Sequence, residues 1–351
     1  MSNQSFQRIT IVIPTYNRYP FLLRLLKYFE RFKVDAPVLI LDSCENLDGW
    51  KAVRSQLHQN NYSHYAYKPG VHTFDKICDH LDKIQTPYVV VSGDDDFLIP
   101  HSLIDGVYFL DKNKDFSVVH GDAFLFTVAS HNGQHKVDAI TPYPQRNLLD
   151  ESPQTRLVKH FEQHTAMFYS IHRRENFCRN MSVYRSSQIG LFFEELLLGG
   201  LSIIQGKACK MDQLYLLRQT HSLMNSATNM QGRDSFNWLT GPNFSANYER
   251  LSKYLSEEMF RYHKVPLNEA RETVKQAFWA HLINRLTVKY YANYPTGIDA
   301  LQARAKRAIK NNDTLKHRLW PALKFVKDRL RSRSRYHSDF MPFYKAIENM
   351  E

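Results

Sequence analysis

Three consecutive carboxylates follow a short Val-rich segment. A single glycine separates segment 88–92 from Asp94, Asp95 and Asp96. Adjacent carboxylates repel one another, so a loop with no compensating positive charge would lose stability by holding them together. Hard divalent cations such as Mg²⁺ and Mn²⁺ bind carboxylate oxygens and keep coordination positions free for phosphate. The run therefore predicts a cation site that also receives phosphate, and the alternative is an acidic turn that caps the helix beginning near Pro100.

Polar residues also end two apolar segments nearer the amino terminus. Segment 9–13 (ITIVI) is followed by Pro14 and the polar residues 15–18, and segment 37–41 (PVLIL) ends at Asp42. Short apolar runs of this kind are typical of buried strands. The chain thus places a polar cluster at the end of each of three predicted strands.

Predicted helices separate these strands. They span residues 21–32, 73–84 and 100–111, and a fourth strand follows at 116–120. Continuous apolar strands that alternate with helices indicate an α/β fold whose mostly parallel, Rossmann-like sheet carries helices on both faces. Ligands of such sheets bind outside the carboxyl ends of the strands. We therefore expect the three polar clusters to form one site.

The later part of the chain departs from this regular alternation. The predicted elements are a hairpin that turns at residues 131–133, a helix at 153–164, a strand at 167–172, a helix at 191–205 and a strand at 208–217. From about residue 236 the pattern indicates mainly helix. We therefore expect an α/β domain over residues 1–235 and a helical, basic region over residues 236–351.

The order of these motifs resembles that of the family two glycosyltransferases, which have the GT-A fold. Segment 11–18 (IVIPTYNR) resembles their opening strand, Asp42 resembles the acid that ends their second strand, and the aspartate run resembles their metal-binding DxD motif. The resemblance extends to about His221 and implies that residues 1–235 form a catalytic domain that uses a nucleotide-sugar donor. One such motif alone is a weak signal, whereas the ordered set is more specific.

The resemblance also implies which residues contact the donor. In that family the segment after the first strand packs on the base and ribose, the acid after the second strand reads the base, and a glycine-containing loop lies beside the donor. The residues implied in this chain are Pro14, Thr15, Tyr16, Asn17, Arg18, Asp42, Gly70, Lys76, Asp94, Asp95 and Arg218. Lys76 and Arg218 would assist with the diphosphate; alternatively, they are ordinary surface or salt-bridging side chains.

The expected metal ligands follow from the same resemblance. Asp96 is favoured as the main ligand of a divalent cation, Mg²⁺ or Mn²⁺, with Asp94 assisting. A late histidine of the family reaches back to the metal, which implicates His221, although a lone histidine is often structural or exposed. The chain departs from the family at Gly93, which stands where the first Asp of Asp-x-Asp-Asp is common. The ribose contact then falls to Asp94 or Asp95.

Two glutamates are candidates for the catalytic base. Phe193-Glu194-Glu195 resembles the family's xED motif, in which an acid at a helix start takes the proton of the acceptor hydroxyl. Motif alignment favours Glu195 over Glu194. Alternatively, both glutamates only favour the positive end of a helix. Family members are mostly inverting, which implies a single in-line displacement without a covalent sugar–enzyme intermediate.

The sequence identifies neither the sugar nor the acceptor. Uridine diphosphate is expected as the carrier because it is the commonest one in the resembled family. By the same route, we expect a glycan or lipid-linked hydroxyl as the acceptor, in bacterial cell-surface polysaccharide synthesis. The residues that set this specificity are expected in the less regular middle, over 123–190.

Positive charge is concentrated near the carboxyl end. The segment from Arg304 to Arg335 contains twelve Lys and Arg residues and two Asp residues. The net charge of the whole chain is +11, so most of the excess positive charge lies in this segment. Leucines recur among them at three- and four-residue spacing, which suits a basic amphipathic helix on an anionic membrane surface. The alternative is a helix that packs on the α/β domain. Because we find neither a signal-peptide pattern nor about 20 consecutive apolar residues, we expect a cytoplasmic protein, peripheral on the inner face of the membrane if this helix binds lipid.

Three other functions fit parts of the sequence. A nucleic-acid-binding protein would use the basic segment, but the aspartates would repel nucleic acid, so we expect no such partner. A nucleotidyltransferase usually carries a Gly-rich, basic loop after its first strand, where this chain has residues 14–18 (PTYNR). A catalytically inactive nucleotide-sugar-binding module stays open because of Gly93 and because Glu replaces the usual Asp of the xED motif.

Overall fold

The computed structural model describes residues 3–131, 134–220, 238–293 and 335–348. The predicted metal ligand His221 and most of the basic segment 304–335 lie outside the described residues, and so does the boundary expected near residue 235. The predictions that concern them stay predictions.

Nine strands of the described chain form one sheet. They are β1 (Ile9–Tyr16), β2 (Val38–Ser43), β3 (Tyr62–Tyr67), β4 (Tyr88–Val91), β5 (Phe97–Leu98), β6 (Phe116–His131), β7 (Gln134–Tyr143), β8 (Ile171–Arg173) and β9 (Lys207–Gln219). Their order across the sheet is β3-β2-β1-β4-β8-β6-β9-β5, and β7 pairs with β6 outside this path. The predicted hairpin is therefore formed by β6 and β7.

The strands that carry the polar clusters run in parallel. β1 pairs in parallel with both β2 and β4, and β2 pairs in parallel with β3. β8 is antiparallel to its neighbours β4 and β6, whereas β9 runs parallel to β6. The predicted Rossmann-like sheet is thus confirmed over β1 to β4, and the later strands add antiparallel pairings. The register places Thr15 opposite Asp42, so the carboxyl ends of β1 and β2 lie side by side.

Helices cover both faces of this sheet, as predicted. They are α1 (Tyr19–Arg31), α2 (Asp48–Arg54), α3 (Thr73–Cys78), α4 (Pro100–Lys112), α5 (Pro153–Glu162), α6 (Arg174–Ser187), α7 (Glu194–Gln205), α8 (Phe244–His263), α9 (Leu267–Asn293) and α10 (His337–Glu348). Successive side chains of a strand point to opposite faces. Accordingly, Ile11 and Ile13 of β1 pack in a core with α1, α4 and α10, whereas Val12 packs in a second core with α3 and α5 to α9.

The helices near the carboxyl end pack on the α/β part in two places. α9 lies against α5, and α8 lies against α7 and α9. α10 returns to the other face of the sheet, where the Phe343 ring centroid is 5.2 Å from that of Phe97 and 4.6 Å from that of Phe126. The mainly helical character predicted for this region is confirmed over the ranges described. None of the helices within those ranges is long and apolar enough to cross a membrane.

Some elements differ from the prediction. The sequence pattern does not indicate β3, α2 or α6, because polar and aromatic residues alternate irregularly in them. The helix expected at 73–84 ends at Cys78, and a short 3-10 helix follows it. The strand expected at 167–172 begins as a 3-10 helix, and only Ile171–Arg173 pair with the sheet. The two segments expected as strands between 116 and 129 form one long strand, β6, with irregular register against β9.

Candidate functional site

The carboxyl ends of β1 and β4 bring two of the polar clusters together. At the end of β1, after the half-buried Pro14, the Thr15 hydroxyl donates a 2.7 Å hydrogen bond to Asp94 Oδ2. Asn17 has a positive φ of 51°, a left-handed conformation that asparagine tolerates better than most residues. This turn leads the chain from β1 into α1 and places Arg18 against the aspartates.

Arg18 bridges two of the three aspartates. Its Nη1 atom lies 3.1 Å from Asp94 Oδ1, and its Nη2 atom pairs with the Asp95 carboxylate. The Arg18 side chain is 30% exposed, whereas the side chains of Asp94 and Asp95 are 3% and 11% exposed. The guanidinium therefore lies on the more open side of the two carboxylates.

Asp96 faces β9 instead. Its Oδ2 atom is 3.3 Å from Arg218 Nε, and its Oδ1 atom accepts a 3.1 Å hydrogen bond from the Gln219 backbone N–H. Arg218 also donates to the hydroxyls of Tyr143 at 3.3 Å and Tyr169 at 3.0 Å, and its guanidinium stacks 4.2 Å from the Tyr169 ring centroid. Both carboxylate oxygens of the residue favoured from sequence as the main metal ligand are thus engaged by the protein.

A third arginine lies beneath the aspartate loop. Arg24 of α1 is 6% exposed and donates from Nη2 to the Asp95 backbone oxygen at 2.9 Å and to Gln219 Oε1 at 2.7 Å. Its guanidinium lies over the rings of Phe21 and Phe97, at 5.2 and 4.9 Å from their centroids. Burial lowers the pKa of Arg24 to about 10, which leaves it charged at neutral pH. Arg24 therefore ties the aspartate loop to the end of β9.

The aspartate run has more compensating charge than the sequence argument assumed. Three arginines, contributed by the start of α1, its middle and β9, contact three aspartates. Burial and then the charge of Asp95 nevertheless raise the pKa of Asp94 and that of Asp96 above the ordinary value. Raised carboxyl pKa values mean that the cluster still favours additional positive charge.

A cation here would have few protein ligands. The structure, over the residues it describes, contains no group of three or more His, Cys, Asp or Glu side chains that could hold a metal ion. Asp94 and Asp95 nevertheless both direct carboxylate oxygens at Arg18. Mg²⁺ commonly takes one or two carboxylates and completes its shell with substrate phosphates and water. The pair fits a hard cation of that kind by donor type, provided that Arg18 moves aside.

Asp42, at the end of β2, is fully buried, and one of its two carboxylate oxygens has no hydrogen-bond partner. Its Oδ2 atom accepts a 2.9 Å hydrogen bond from the Tyr19 hydroxyl and lies 3.0 Å from His64 Nε2. The His64 ring stacks on Trp50 with centroids 4.4 Å apart. Oδ1 is buried and has no hydrogen-bond partner. Because a buried acceptor without a partner is costly, this oxygen is suited to accept an N–H group from a ligand. Tyr16, the neighbouring residue at the end of β1, is 49% exposed.

The two other donor-side candidates have clear structural roles. Lys76 of α3 is buried, and its Nζ atom donates to the backbone oxygens of Thr15 at 3.1 Å and Leu41 at 2.9 Å. Burial lowers the pKa of Lys76 to about 8. Lys76 is therefore not an ordinary surface side chain, and it joins the ends of β1 and β2. Gly70 has a φ of 89° with open space around it, so the backbone conformation rather than crowding favours glycine there.

The candidate bases begin α7 and point in different directions. Glu194 is largely buried, and its Oε1 atom lies 3.5 Å from His72 Nε2. Glu195 is exposed. Burial, with smaller contributions from charges that include Glu195, raises the pKa of Tyr143 and of Tyr169. Glu195 therefore lies on the side of the tyrosines that hold Arg218.

Gly93 is closely packed against the aspartates that follow it. A Cβ atom at this position would lie 2.8 Å from Asp96 Oδ2 and 3.0 Å from Asp95 Oδ1. An aspartate at residue 93 would therefore displace these carboxylates. The departure from the Asp-x-Asp-Asp pattern thus agrees with the local packing of this chain.

Four residues around the aspartates, Arg218 and Glu194 are not predicted from the sequence: Arg24, His72, Tyr143 and Tyr169. Tyr19, Trp50 and His64 around Asp42 are not predicted either. Arg24 gave a usable signal, because a single arginine interrupts the apolar run 21–26 (FLLRLL) on the buried face of α1. The two tyrosines are isolated aromatics in an irregular region, and only the fold brings them to Arg218. His72 caps α3, with Nδ1 accepting a hydrogen bond from the Phe74 backbone nitrogen at 3.4 Å.

Comparisons with known proteins give no relative by sequence. No family model and no curated protein matches the chain. Among solved structures, residues 1–349 of S. aureus TarS match with a TM-score of 0.44 and 13% identity, over 82% of this chain and 92% of that one. The mannosyltransferase PcManGT from Pyrobaculum calidifontis, in complex with GDP-Man and Mn²⁺, matches with a TM-score of 0.41 and 11% identity, over 88% and 82%. TarS 1–349 in complex with UDP-GlcNAc matches with a TM-score of 0.42 and 13% identity, over 82% and 92%.

Proposed function

We propose that this chain is a glycosyltransferase that moves a sugar from a nucleoside-diphosphate sugar to an acceptor hydroxyl. One observation carries the proposal. A buried carboxylate cluster that still favours positive charge lies at the carboxyl edge of a parallel sheet, and an exposed glutamate, Glu195, lies in the first turn of α7. Such an edge is where α/β sheets bind their ligands. The cluster suits a diphosphate with its cation, and the glutamate suits a hydroxyl that must lose a proton.

The donor is proposed to lie along the ends of β1, β2 and β4. The unpartnered Asp42 Oδ1 would accept an N–H of the base, for which we propose uracil, and the exposed Tyr16 ring would cover the base or ribose. Thr15 holds Asp94 in place from β1. We assign the diphosphate to the region of Arg18, because its partly exposed guanidinium pairs with both Asp94 and Asp95.

Asp94 and Asp95 would hold a divalent cation, Mg²⁺ or Mn²⁺, together with the diphosphate. When bound, the ion supplies Lewis-acid stabilisation of the leaving diphosphate. Arg18 would then exchange its carboxylate partners for phosphate oxygens, which suit its planar guanidinium. The roles of Asp96 and His221 as ligands stay predictions. The charge and hydrogen bond of Arg218 lower the pKa of Asp96 and partly offset the larger, raising effect of burial.

The proposed reaction is a single displacement with inversion. The acceptor oxygen forms a bond to the anomeric carbon while the bond from that carbon to the diphosphate oxygen breaks. The acceptor proton passes to a glutamate carboxylate of α7, Glu194 or Glu195, and the electron pair leaves with the diphosphate. We further propose a glycan or lipid-linked acceptor of bacterial cell-surface polysaccharide synthesis. The basic segment 304–335 would hold a cytoplasmic enzyme at an anionic membrane surface.

The assay is release of nucleoside diphosphate from a panel of nucleotide sugars with Mn²⁺, with and without glycan acceptors. Glu195→Gln should lower kcat by roughly 100-fold or more, since a general base contributes about 10²–10⁴-fold. Glu175→Gln is the matched control, because Glu175 is exposed and also lies in the first turn of a helix, α6. Equal losses in the two variants would assign Glu195 to helix stabilisation. Donor binding without turnover by the unaltered chain would instead favour an inactive binding module.

A further inference from the structure

A histidine joins the loop on the donor side to the helix that carries the candidate bases. His72 follows the loop around Gly70 and caps α3, while Glu194 begins α7. The two side chains approach to 3.5 Å between His72 Nε2 and Glu194 Oε1. The Tyr184 hydroxyl of α6 lies 3.3 Å from His72 Nδ1. The start of α3 therefore meets the consecutive helices α6 and α7 at one imidazole.

The hydrogen bonds of His72 fix its tautomer. Nδ1 faces the Phe74 backbone N–H at 3.4 Å and the Tyr184 hydroxyl, and both are donors. Because the backbone N–H can only donate, Nδ1 is the accepting nitrogen and the proton lies on Nε2, which is 3.5 Å from Glu194 Oε1. Burial lowers the pKa of His72, which agrees with a neutral ring. With Nδ1 accepting from Phe74 and the proton on Nε2, neutral His72 has no ring nitrogen free to take the proton of the acceptor hydroxyl.

Helix geometry then separates the two glutamates. Successive residues of an α-helix point about 100° apart. Glu194 contacts His72 at the start of α3, so Glu195 points about 100° away from that direction around the helix axis. After burial, the charge of Glu195 is one of the smaller causes that raise the pKa values of Tyr143 and Tyr169, which bind Arg218. Fixing Glu194 thus also fixes the direction in which Glu195 points.

We propose that His72 is a positioning residue for the base: it holds Glu194, sets the rotation of the first turn of α7, and so aims Glu195 at the acceptor hydroxyl. The inference rests on the proposed glycosyl transfer and assigns different roles to the two glutamates. Phe192, two residues before Glu194, has a φ of 75°, which is unfavourable for a bulky residue. A start of α7 that lies next to such a conformation needs tertiary contacts to keep its orientation, and His72 supplies one of them.

The test compares kcat and donor KM of the full chain and of His72 variants. His72→Leu should lower kcat by about tenfold or more with little change in donor KM, because the base is misaligned while donor contacts remain. His72→Gln should recover most of that loss, since a glutamine amide can donate to Glu194. His101→Leu is the control, because His101 has similar exposure and also pairs with a carboxylate, that of Asp339.

A double variant separates positioning from general destabilisation. If His72 acts through Glu194, His72→Leu should add almost nothing to the kcat loss of Glu194→Gln, since the two changes remove one interaction. Full additivity would overturn the inference, and so would wild-type kcat in His72→Leu or a glutamine variant as impaired as the leucine variant. In each of these cases the proposed function survives, because the unaltered chain still turns over donor. Absence of turnover by the unaltered chain under all donors would overturn both.

Discussion

Replacing Arg24 by methionine should destabilise the folded chain strongly, because the Arg24 guanidinium is buried among its partners. The side chain is 6% exposed, makes two hydrogen bonds of 2.9 and 2.7 Å, and lies close to three aspartates. Methionine keeps much of the volume but leaves the Asp95 backbone oxygen and Gln219 Oε1 without this donor. Hydrogen bonds to charged groups contribute roughly 1.5–3 kcal/mol each, and removing one partner of a buried charge set costs roughly 3–5 kcal/mol. We expect a loss of about 4 kcal/mol in the free energy of unfolding.

Urea denaturation followed by circular dichroism measures this loss. Arg54→Met is the matched control, since Arg54 also makes two hydrogen bonds, at 3.0 and 2.6 Å, but on the surface helix α2. The control should change the free energy of unfolding by less than about 1 kcal/mol. A loss below about 1 kcal/mol in Arg24→Met, or equal losses in both variants, would refute the reasoning that buried arginine charge holds the aspartate loop.

Three further predictions follow from the same cluster. Arg18→Gln should strengthen Mn²⁺ binding without nucleotide by about tenfold, a change of about 1.4 kcal/mol, because a competing cation is removed from Asp94 and Asp95; weaker binding by calorimetry would contradict this. Because the pKa values of Asp94 and Asp96 are raised in the folded chain, that state binds more protons than the unfolded state, so their contribution to stability falls as pH rises through the folded pKa values. Asp94→Asn should therefore flatten the decline in unfolding free energy between about pH 4 and pH 7, from the ordinary pKa of the carboxyl to its raised value, whereas an unchanged slope would show that other groups cause it. Gly93→Asp should lower the melting temperature, with a cost of about 1–3 kcal/mol, because its Cβ overlaps Asp96; an unchanged melting temperature would mean that the loop adjusts freely.

The sequence predicts the parts of the fold that rest on hydrophobic periodicity. β1, β2 and β4 are uninterrupted apolar runs, and their burial on both faces explains why the pattern is so clear. β3 and α6 lack that signal, because their burial depends on neighbours supplied by other parts of the chain. The long strand β6 reads as two segments because glycine interrupts its apolar pattern at Gly121, where the Gln213 backbone oxygen would be only 2.5 Å from a Cβ atom.

The candidate site divides in the same way. The order of the motifs predicts the aspartates, Asp42 and the glutamates as site residues. Each of them lies at the end or the start of a strand or helix that hydrophobic periodicity predicts. The partners that set their charge state come from elsewhere in the chain: Arg218 lies 122 residues after Asp96. Pairing at that distance depends on strand order and register, which hydrophobic patterns do not specify. Motif order therefore leads to the carboxylates and to Arg18 and Arg218 as donor contacts. It does not lead to Arg24, nor to the pairing of these three arginines with the aspartates.

The most direct test of the proposed function is calorimetric binding of UDP to the full chain, in Mn²⁺ and in EDTA, with Asp94→Asn and Asp95→Asn. Asp82→Asn is the control, because Asp82 is 67% exposed and pairs with its neighbour Lys83. The account predicts binding that requires Mn²⁺, is weakened at least about tenfold in both cluster variants, and is unchanged in the control. Absence of binding by UDP and every other nucleoside diphosphate under both conditions, or equal affinity in all variants, would contradict it.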